Sequence, residues 1–181
     1  MRIIKSMEEK YLLPSLNLVE AVFTAHENAE EGKLVRSLVE EIRRMDSYIP
    51  ALELIMVDEQ DAAIGYCMFS RFHLEGKYKN ELLLLSPVAV KTELQRQHIS
   101  KELIEYGFER ARELGFRAVI VEGNPLNYRS RGFVTAADHG ILPGPDVHLP
   151  AIECLMVKEL IPGGLQNIRG QVSYRDYQSL Q

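Results

Sequence analysis

The sequence has no tryptophan and only two cysteines, Cys67 and Cys154, each of which lies inside an apolar run rather than in a CxxC pair. We therefore expect reduced core cysteines, and neither a disulfide nor a metal site. The segment 1–10 lacks the apolar stretch of a signal peptide, and no apolar run approaches the roughly 18 residues of a membrane span. These absences predict a cytoplasmic protein that does not act at a membrane.

Positive charge is also scarce, because 21 lysines and arginines face 26 acidic residues and the net charge is −5. No basic stripe stands out, which argues against a protein that binds nucleic acid. No GxGxxG follows a predicted strand, which disfavours a dinucleotide-binding fold. The composition, with 46% apolar and 26% charged residues, is that of an ordinary globular protein, and the length of 181 residues predicts one domain over 1–181.

The first half of the chain predicts a short strand, two helices and two further strands. The two helices are indicated by apolar residues at helical spacing, with charged residues on the opposite face of the second helix. The two later strands are apolar segments joined by an acidic turn. These five elements are expected at about 1–5, 12–23, 34–45, 52–57 and 62–74.

The middle of the chain predicts a strand, a helix and a strand that form a right-handed βαβ unit. Leu82–Val90 is a nearly continuous apolar run, as expected for a strand buried on both faces, and Ala118–Val121 is a second one. The helix between them makes the two strands parallel. A short helix and three strands are expected beyond this unit, over 125–131, 133–136, 152–157 and 168–174. The chain is therefore predicted to be an α/β protein with a mixed sheet.

Pro87 interrupts the Leu82–Val90 strand at a position where a central strand should not carry proline. The structural interpretation is an edge strand or a local bulge. The functional interpretation is that the bulge releases backbone N–H and C=O groups from the ladder and leaves them for a ligand. The residues alone leave both alternatives open.

The segment that joins Val90 to the next helix is a candidate anion site. The N-terminus of a helix presents free N–H groups and the positive end of its dipole, which suit a phosphate. Arg96 and a protonated His98 would add charge-assisted hydrogen bonds. The alternative is that Gln95, Arg96 and Gln97 form a solvated first turn that binds nothing.

Several short patterns occur in a fixed order between residues 82 and 133. An apolar strand ends in Ala89-Val90, the segment 95–100 opens a helix, and N-x-x-x-Y-x-x-x-G-F follows the second strand at 124–133. In this order and spacing the segment resembles the GNAT superfamily of N-acetyltransferases, and the later run LIPGGLQNIRGQVSY resembles the tail of one bacterial branch of predicted acetyltransferases. The resemblance implies one N-acetyltransferase domain with a GNAT-like acyl-CoA N-acyltransferase fold. Its mixed central sheet would have splayed parallel strands flanked by helices, with a cofactor motif at 82–133 and a C-terminal strand extension at 160–181.

The resemblance also implies which residues bind acetyl-CoA. Backbone groups of the first strand would contact the pantetheine arm, and backbone N–H groups before the helix would wrap the pyrophosphate. Asn124 would lie near the pantetheine arm, and Tyr128 would face the sulfur. The implied cofactor contacts are Val88, Ala89, Val90, Gln95, Arg96, Gln97, His98, Ile99, Ser100, Asn124 and Tyr128.

The sequence departs from the family pattern at both glycines of the pyrophosphate loop, where it has His98 and Ser100. Serine is close in size to the alanine that the pattern tolerates. Histidine is a larger change, since glycine lets the backbone approach a phosphate closely. Either His98 turns outward, or its imidazole contacts a phosphate, or the site binds poorly.

Acetyl transfer to an amine needs a group that removes a proton from the amine and a group that protonates the departing thiolate. Tyr128 is the candidate acid, because a neutral phenol can protonate a thiolate; its alternative role is packing. Glu81, at the mouth of the first long strand, and Glu122, at the end of the second, are the candidate bases. His73 and His139 are less favoured alternatives.

We therefore expect an acetyl-CoA-dependent N-acetyltransferase that acetylates a primary amine of a small molecule or a peptide by direct attack on the thioester. A backbone N–H near Val88, freed by the bulge, would hold the oxyanion. The alternative is a non-catalytic acyl-CoA-binding or regulatory protein with a degenerate pyrophosphate loop. The sequence names neither the acceptor nor the oligomeric state, so a homodimer remains open.

Overall fold

The computed structural model describes all 181 residues and contains nine strands and four helices. The helices are α1 (Leu12–His26), α2 (Ala29–Ile42), α3 (Ile99–Glu113) and α4 (Pro125–Tyr128). The strands are β1 (Ile3–Ser6), β2 (Glu53–Val57), β3 (Ala63–Leu74), β4 (Lys77–Val90), β5 (Ala118–Glu122), β6 (Val134–Thr135), β7 (Ile141–Pro143), β8 (Leu155–Glu159) and β9 (Gly170–Val172). None of the helices has the length and apolar character required to span a bilayer.

Seven strands form one mixed sheet in the order β1-β2-β3-β4-β5-β8-β6. Its only parallel neighbours are β4 and β5, and every other adjacent pair is antiparallel. The remaining strands, β7 and β9, form a separate two-stranded parallel sheet. The predicted α/β class, the mixed sheet and the parallel βαβ unit are thus confirmed.

The two faces of the large sheet are covered by different helices. Helices α1 and α2 share one apolar cluster with the even-numbered residues Leu82 and Leu84 of β4, whereas α3 shares the other with Leu83 and Leu85. This alternation buries β4 on both faces, as its apolar run predicts. Helix α3 approaches the sheet closely at Gly107, where a Cβ would overlap the ring of Phe69.

The sequence-based boundaries were least accurate in the last third of the chain. The strand expected at 152–157 begins only at Leu155, after a 3₁₀ turn at Ile152–Cys154. Strand β7 lies at the start of a segment that contains Pro143, Pro145 and Pro150, and the sequence does not predict it. The strand expected at 168–174 forms as the shorter β9, and it pairs with β7 outside the main sheet.

A buried carboxylate joins the helical layer of α1 and α2 to the sheet. Glu53, the first residue of β2, is fully buried and accepts hydrogen bonds from Arg43 at 2.8 Å and from Tyr48 and Tyr66 at 2.5 Å each. Arg43 also donates to the Ser15 hydroxyl on α1 at 2.8 Å. Burial, followed by the charge of Glu53, raises the pKa of Tyr66, so this hydroxyl remains a donor. The network satisfies each buried charge, as the cost of desolvation requires.

Replacing Glu53 with glutamine should lower the free energy of unfolding by about 3–5 kcal/mol, the usual effect of removing one partner of a buried ion pair. The amide leaves the Arg43 guanidinium without its counter-charge. Urea unfolding followed by circular dichroism measures the loss. The matched control is Glu113→Gln, which removes the exposed pair with Arg110 and should leave the midpoint unchanged. Equal midpoints for the two variants would contradict the assigned role of Glu53.

Candidate active site

The parallel strands β4 and β5 separate partway along their length. They are in register only from Leu82 opposite Ala118 to Leu84 opposite Ile120. Beyond that point β4 continues to Val90 and β5 to Glu122 without pairing to each other. A wedge-shaped opening therefore lies between the C-terminal ends of the two strands, and backbone groups on its edges are free of the ladder.

A bulge in β4 lies at the start of this opening. Cys67 of β3 is opposite Val88, but Phe69, two residues further, is opposite Leu85, so β4 carries one extra residue at Ser86-Pro87. The Ser86-Pro87 peptide bond is cis. In the sheet order β4 lies between β3 and β5, so it is not an edge strand, and Pro87 lies in a bulge beyond the residues that pair with β5.

The chain that follows β4 forms a loop lined with unpaired donors. After a 3₁₀ turn at Thr92–Leu94, α3 begins at Ile99, and no backbone N–H of residues 96–101 donates a hydrogen bond within the protein. Arg96 and His98 both have left-handed backbones, with φ of 64° and 66°. Successive N–H groups that lack a partner in the protein are available to bind an anion. At the N-terminus of α3 the helix dipole adds to that attraction.

His98 occupies the conformation that glycine usually supplies. Its φ of 66° and ψ of 15° lie in the left-handed region, which histidine tolerates better than most residues. The imidazole is exposed and makes no hydrogen bond with the protein. The substitution of the family glycine therefore keeps the backbone shape of the loop while the side chain extends into solvent.

Two arginines hold this loop from either side, and the sequence analysis assigned neither of them. Arg2, just before β1, donates to the carbonyl of Gln97 at 2.8 Å, and Arg131 donates to the Ser100 hydroxyl at 2.7 Å. Arg131 lies within the recognised 124–133 pattern, which could have drawn attention to it, whereas no local signal identifies Arg2. Gln95 turns back to the carbonyl of Val90 at 3.3 Å.

Tyr128 lies on the α3 side of the sheet next to the opening. Its ring packs edge-on against Phe133, with centroids 5.6 Å apart, and fits against Gly123, where a Cβ would overlap it. Val88 and Tyr128 border the same apolar cluster that contains Cys67. The Tyr128 hydroxyl has no hydrogen-bond partner in the protein and is accessible to solvent. Burial raises the pKa of Tyr128 to about 12, despite an opposing effect of Arg131.

Asn124 has a local structural role in addition to the one that the resemblance implies. Its side-chain oxygen accepts the backbone N–H of Leu126 at 3.0 Å and so caps α4. The cap fixes the start of the short helix that ends at Tyr128. Asn124 is exposed at the C-terminal end of β5, beside the opening.

The two candidate bases lie at opposite ends of the paired segment. Glu122 is exposed at the end of β5, beside the opening, and its Oε1 accepts a hydrogen bond from the Tyr174 hydroxyl at 2.7 Å. Glu81 precedes the paired residues of β4, so at about 3.3 Å per residue it lies roughly 20 Å from Val88. Glu81 therefore lies away from the opening, which forms at the C-terminal ends of the two parallel strands.

The structure thus brings most of the predicted site residues to one place. The strand end 88–90, the loop 95–100, Asn124, Tyr128 and Glu122 surround the opening. Neither histidine alternative lies on the segments that surround the opening. His73 lies near the hairpin end of β3 and pairs with Asp176 at 2.6 Å. His139 lies in the turn before β7.

A loop of unpaired N–H donors thus follows a bulged strand and lies beside an opening in a mixed sheet. Residues 19–138 match the Acetyltransferase (GNAT) family, which is more than half of the chain. The protein belongs to this family and is an N-acetyltransferase.

The chain is also similar to proteins named as N-acetyltransferases and shares its fold with solved structures. The chain is 28% identical over 154 residues to the uncharacterized N-acetyltransferase YhbS of Escherichia coli, covering 83% of this chain and 84% of YhbS. It is 33% identical over 118 residues to the uncharacterized N-acetyltransferase YjhQ of the same organism, covering 65% and 62%. The crystal structure of YhbS in complex with CoA superposes with a TM-score of 0.80 at 24% identity, covering 99% of this chain and 91% of that one. A Brucella melitensis GNAT family acetyltransferase in complex with acetyl-CoA gives 0.71 at 21% identity, covering 100% and 99%.

Replacing His98 with glycine should keep the loop intact, whereas valine should disrupt it. Glycine adopts a positive φ without strain, so the melting temperature should stay equal or rise, and the Kd for acetyl-CoA should stay within about threefold. Valine is β-branched and strongly disfavoured at positive φ, so His98→Val should weaken acetyl-CoA binding by about tenfold, or roughly 1.4 kcal/mol. Calorimetric titration measures the Kd of each variant, and differential scanning fluorimetry measures its melting temperature. A tenfold loss in His98→Gly would instead show that the imidazole contacts the ligand.

Proposed function

We propose that this protein transfers the acetyl group of acetyl-CoA to the primary amine of a small molecule or a peptide, by direct attack of the amine on the thioester. The observation that carries the proposal is the opening between β4 and β5, which ends at a loop of unpaired N–H donors. The loop suits a pyrophosphate, and the free edge of β4 suits an amide-bearing arm lying alongside it as an added strand would. The CoA and acetyl-CoA complexes of the two structural relatives support the same cofactor.

The residues around the opening fit the parts of acetyl-CoA. The backbone N–H groups of 96–101 would hold the pyrophosphate, with Arg96 exposed beside them. Backbone groups of Val88, Ala89 and Val90 would hold the pantetheine arm. The bulge that precedes Val88 supports a backbone N–H there as the donor to the oxyanion of the carbonyl under attack.

The proton transfers of the reaction match two side chains at the opening. An alkyl ammonium has a pKa of about 10.4, so it must lose a proton before the nitrogen can attack. Glu122 accepts that proton. As the new C–N bond forms and the C–S bond breaks, the electron pair leaves with the sulfur, and Tyr128 protonates it. The amine loses two protons in all: the first passes from Glu122 to solvent, and the second, released as the amide forms, replaces the proton that Tyr128 gives to the thiol.

The non-catalytic alternative was based on the lost loop glycines. His98 adopts the glycine-like backbone, and Ser100 is held by Arg131, so both departures are compatible with a formed loop. These two observations favour the enzyme over a binding protein with a degenerate site.

Acetyl-CoA should raise the melting temperature. A ligand that binds only the native state stabilises it by about 2.7 kcal/mol at a hundred times its Kd, which is roughly 5–10 °C for a chain of this size. Differential scanning fluorimetry measures the shift. Acetyl-pantetheine, which has no pyrophosphate, is the matched ligand control and should give a much smaller shift. An absent shift at millimolar acetyl-CoA would contradict the cofactor assignment.

Tyr128→Phe should lower kcat by about 10²–10⁴-fold, the range expected when a positioned general acid is lost. The Kd for acetyl-CoA and the melting temperature should be nearly unchanged, since only one unbonded oxygen is removed. The matched control is Tyr106→Phe, because Tyr106 is on α3 and its hydroxyl accepts only from the surface residue Arg110. A kcat for Tyr128→Phe within about threefold of the unchanged protein would show that Tyr128 is a packing residue.

The pH dependence gives a second check on Tyr128. An acid must be protonated to act, so its contribution is lost as the pH rises through its pKa. With the pKa of Tyr128 raised to about 12 by burial, kcat should show no decline from this group between pH 8 and 10. A tyrosine of ordinary pKa, about 10, would lose half of the rate at pH 10.

A further inference from the structure

We propose that Tyr174, in the segment 173–181 that follows β9, is a positioning residue for acetyl transfer. It would hold the carboxylate of Glu122 at the acceptor side of the opening. The segment 173–181, here called the C-terminal strap, then forms part of the active site. This inference rests on the proposed function and adds a residue from a part of the chain to which the sequence analysis gave no role.

Glu122 and Tyr128 lie on opposite faces of the large sheet. Residues alternate between the two faces along a strand, so Glu122 of β5 faces the same side as Ala118 and Ile120, which pack with α1 and α2. Tyr128 packs with the cluster on the α3 face. Tyr174 borders the α1 and α2 cluster. The thioester opening is therefore bordered by the proposed acid on one face, and by Glu122 with Tyr174 on the other.

The hydrogen bond between Tyr174 and Glu122 leaves half of the carboxylate free. The Tyr174 hydroxyl donates to Oε1 at 2.7 Å, and Oε2 accepts no hydrogen bond from the protein. Burial, followed by the charge of Glu122, raises the pKa of Tyr174, so the hydroxyl stays protonated and remains a donor. Tyr174 thus fixes one oxygen of an otherwise exposed side chain, and the other oxygen is available to an incoming ammonium group.

Hydrogen bonds fix the backbone of Tyr174 as well as its hydroxyl. Its backbone N–H donates to Asp146 at 2.8 Å, and the same carboxylate oxygen accepts the Ser173 hydroxyl at 3.1 Å. The ring is partly buried. A donor held in this way loses little conformational entropy when it bonds to Glu122, and it is therefore preorganised.

The remainder of the C-terminal strap is fixed across α2. Glu41 of α2 accepts the backbone N–H groups of Gln178 and Ser179 at 2.7 and 2.9 Å. Tyr177 is buried, and its backbone N–H bonds to the carbonyl of Tyr174 at 3.0 Å. These contacts make the strap a fixed wall of the acceptor side rather than a loose tail.

The arrangement has a chemical consequence for the acceptor. A carboxylate held in one orientation both attracts an alkyl ammonium and accepts its proton. Only a protonated acceptor requires this deprotonation before its nitrogen can attack. The Tyr174–Glu122 pair therefore matters most for strongly basic primary amines. It matters less for an amine of low basicity, which is already neutral at the assay pH.

The test is a set of steady-state assays in which release of the CoA thiol is followed with acetyl-CoA and a panel of amines: spermidine, lysine, a peptide with a free N-terminus, and the less basic glycinamide. Tyr174→Phe should lower kcat/KM for the strongly basic amine that the protein accepts by at least tenfold. The KM for acetyl-CoA and the melting shift with acetyl-CoA should not change. The loss with glycinamide should be smaller.

A double-mutant cycle separates positioning from a purely structural effect. If Tyr174 acts through Glu122, adding Tyr174→Phe to Glu122→Gln should cause no further loss of kcat/KM. The control is Tyr106→Phe, which removes a hydroxyl on α3, outside the strap, that accepts only from Arg110, and it should leave activity unchanged. Matching losses in Tyr174→Phe and Tyr106→Phe, or full additivity with Glu122→Gln, would overturn the inference.

The outcomes distinguish this inference from the proposed function. If the unchanged protein acetylates an amine of the panel and Tyr174→Phe stays within threefold of it, the role of Tyr174 is refuted while the acetyltransferase proposal stands. If the unchanged protein acetylates none of the panel, both fail together.

Discussion

The unpaired stretch of β4 and β5 is the constraint on which the rest of the site depends. A sheet in which parallel strands stayed paired to their ends would leave no backbone groups for a ligand and no gap for a thioester. Here the extra residue at Ser86-Pro87 changes the course of β4 where pairing with β5 stops. The strand end at Val90 then leads into the donor-lined loop, so one irregularity in one strand sets the position of both parts of the cofactor site.

The surrounding packing keeps that opening in a fixed shape. On one face, Gly107 lets α3 lie close to Phe69, which brings the helix N-terminus and its loop next to the end of β4. On the other face, the Glu53 network ties α1 and α2 to β2 and β3. Both helical layers pack apolar side chains on the sheet. Helix α3 adds a close steric fit at Gly107, and α1 and α2 add a buried ion pair with its hydrogen bonds.

The local part of the fold could be predicted from the sequence, and the reason is physical. The βαβ unit between Leu82 and Val121 has its signals within consecutive residues: apolar runs, helical spacing and a short crossover. The bulge at Pro87 was one of two alternatives, because a residue's neighbours in sequence do not reveal how many strands flank it. The pairing partners decided that question.

Non-local features of the site could not be predicted in the same way. Glu81 lies just before the paired residues of β4 and Glu122 at the end of β5, and only the direction of the parallel pair shows which end opens. Arg2 reaches the loop across about a hundred positions of sequence, and Tyr174 meets Glu122 from the far end of the chain. Polar contacts between residues so far apart in the sequence produce no periodic pattern, so the sequence does not predict them.

The short register between β4 and β5 has a mechanical consequence for the whole sheet. Three residue pairs are the only main-chain ladder that joins the four strands β1 to β4 to the three strands β5, β8 and β6. The Arg117 N–H, which donates to the Glu81 carbonyl at 2.8 Å, and shared side-chain packing on both faces supply the rest of the connection. A ligand whose amide groups bridge the two strand ends would lengthen this junction, so the backbone amides of 85–90 should exchange with solvent more slowly in the bound protein than in the free one.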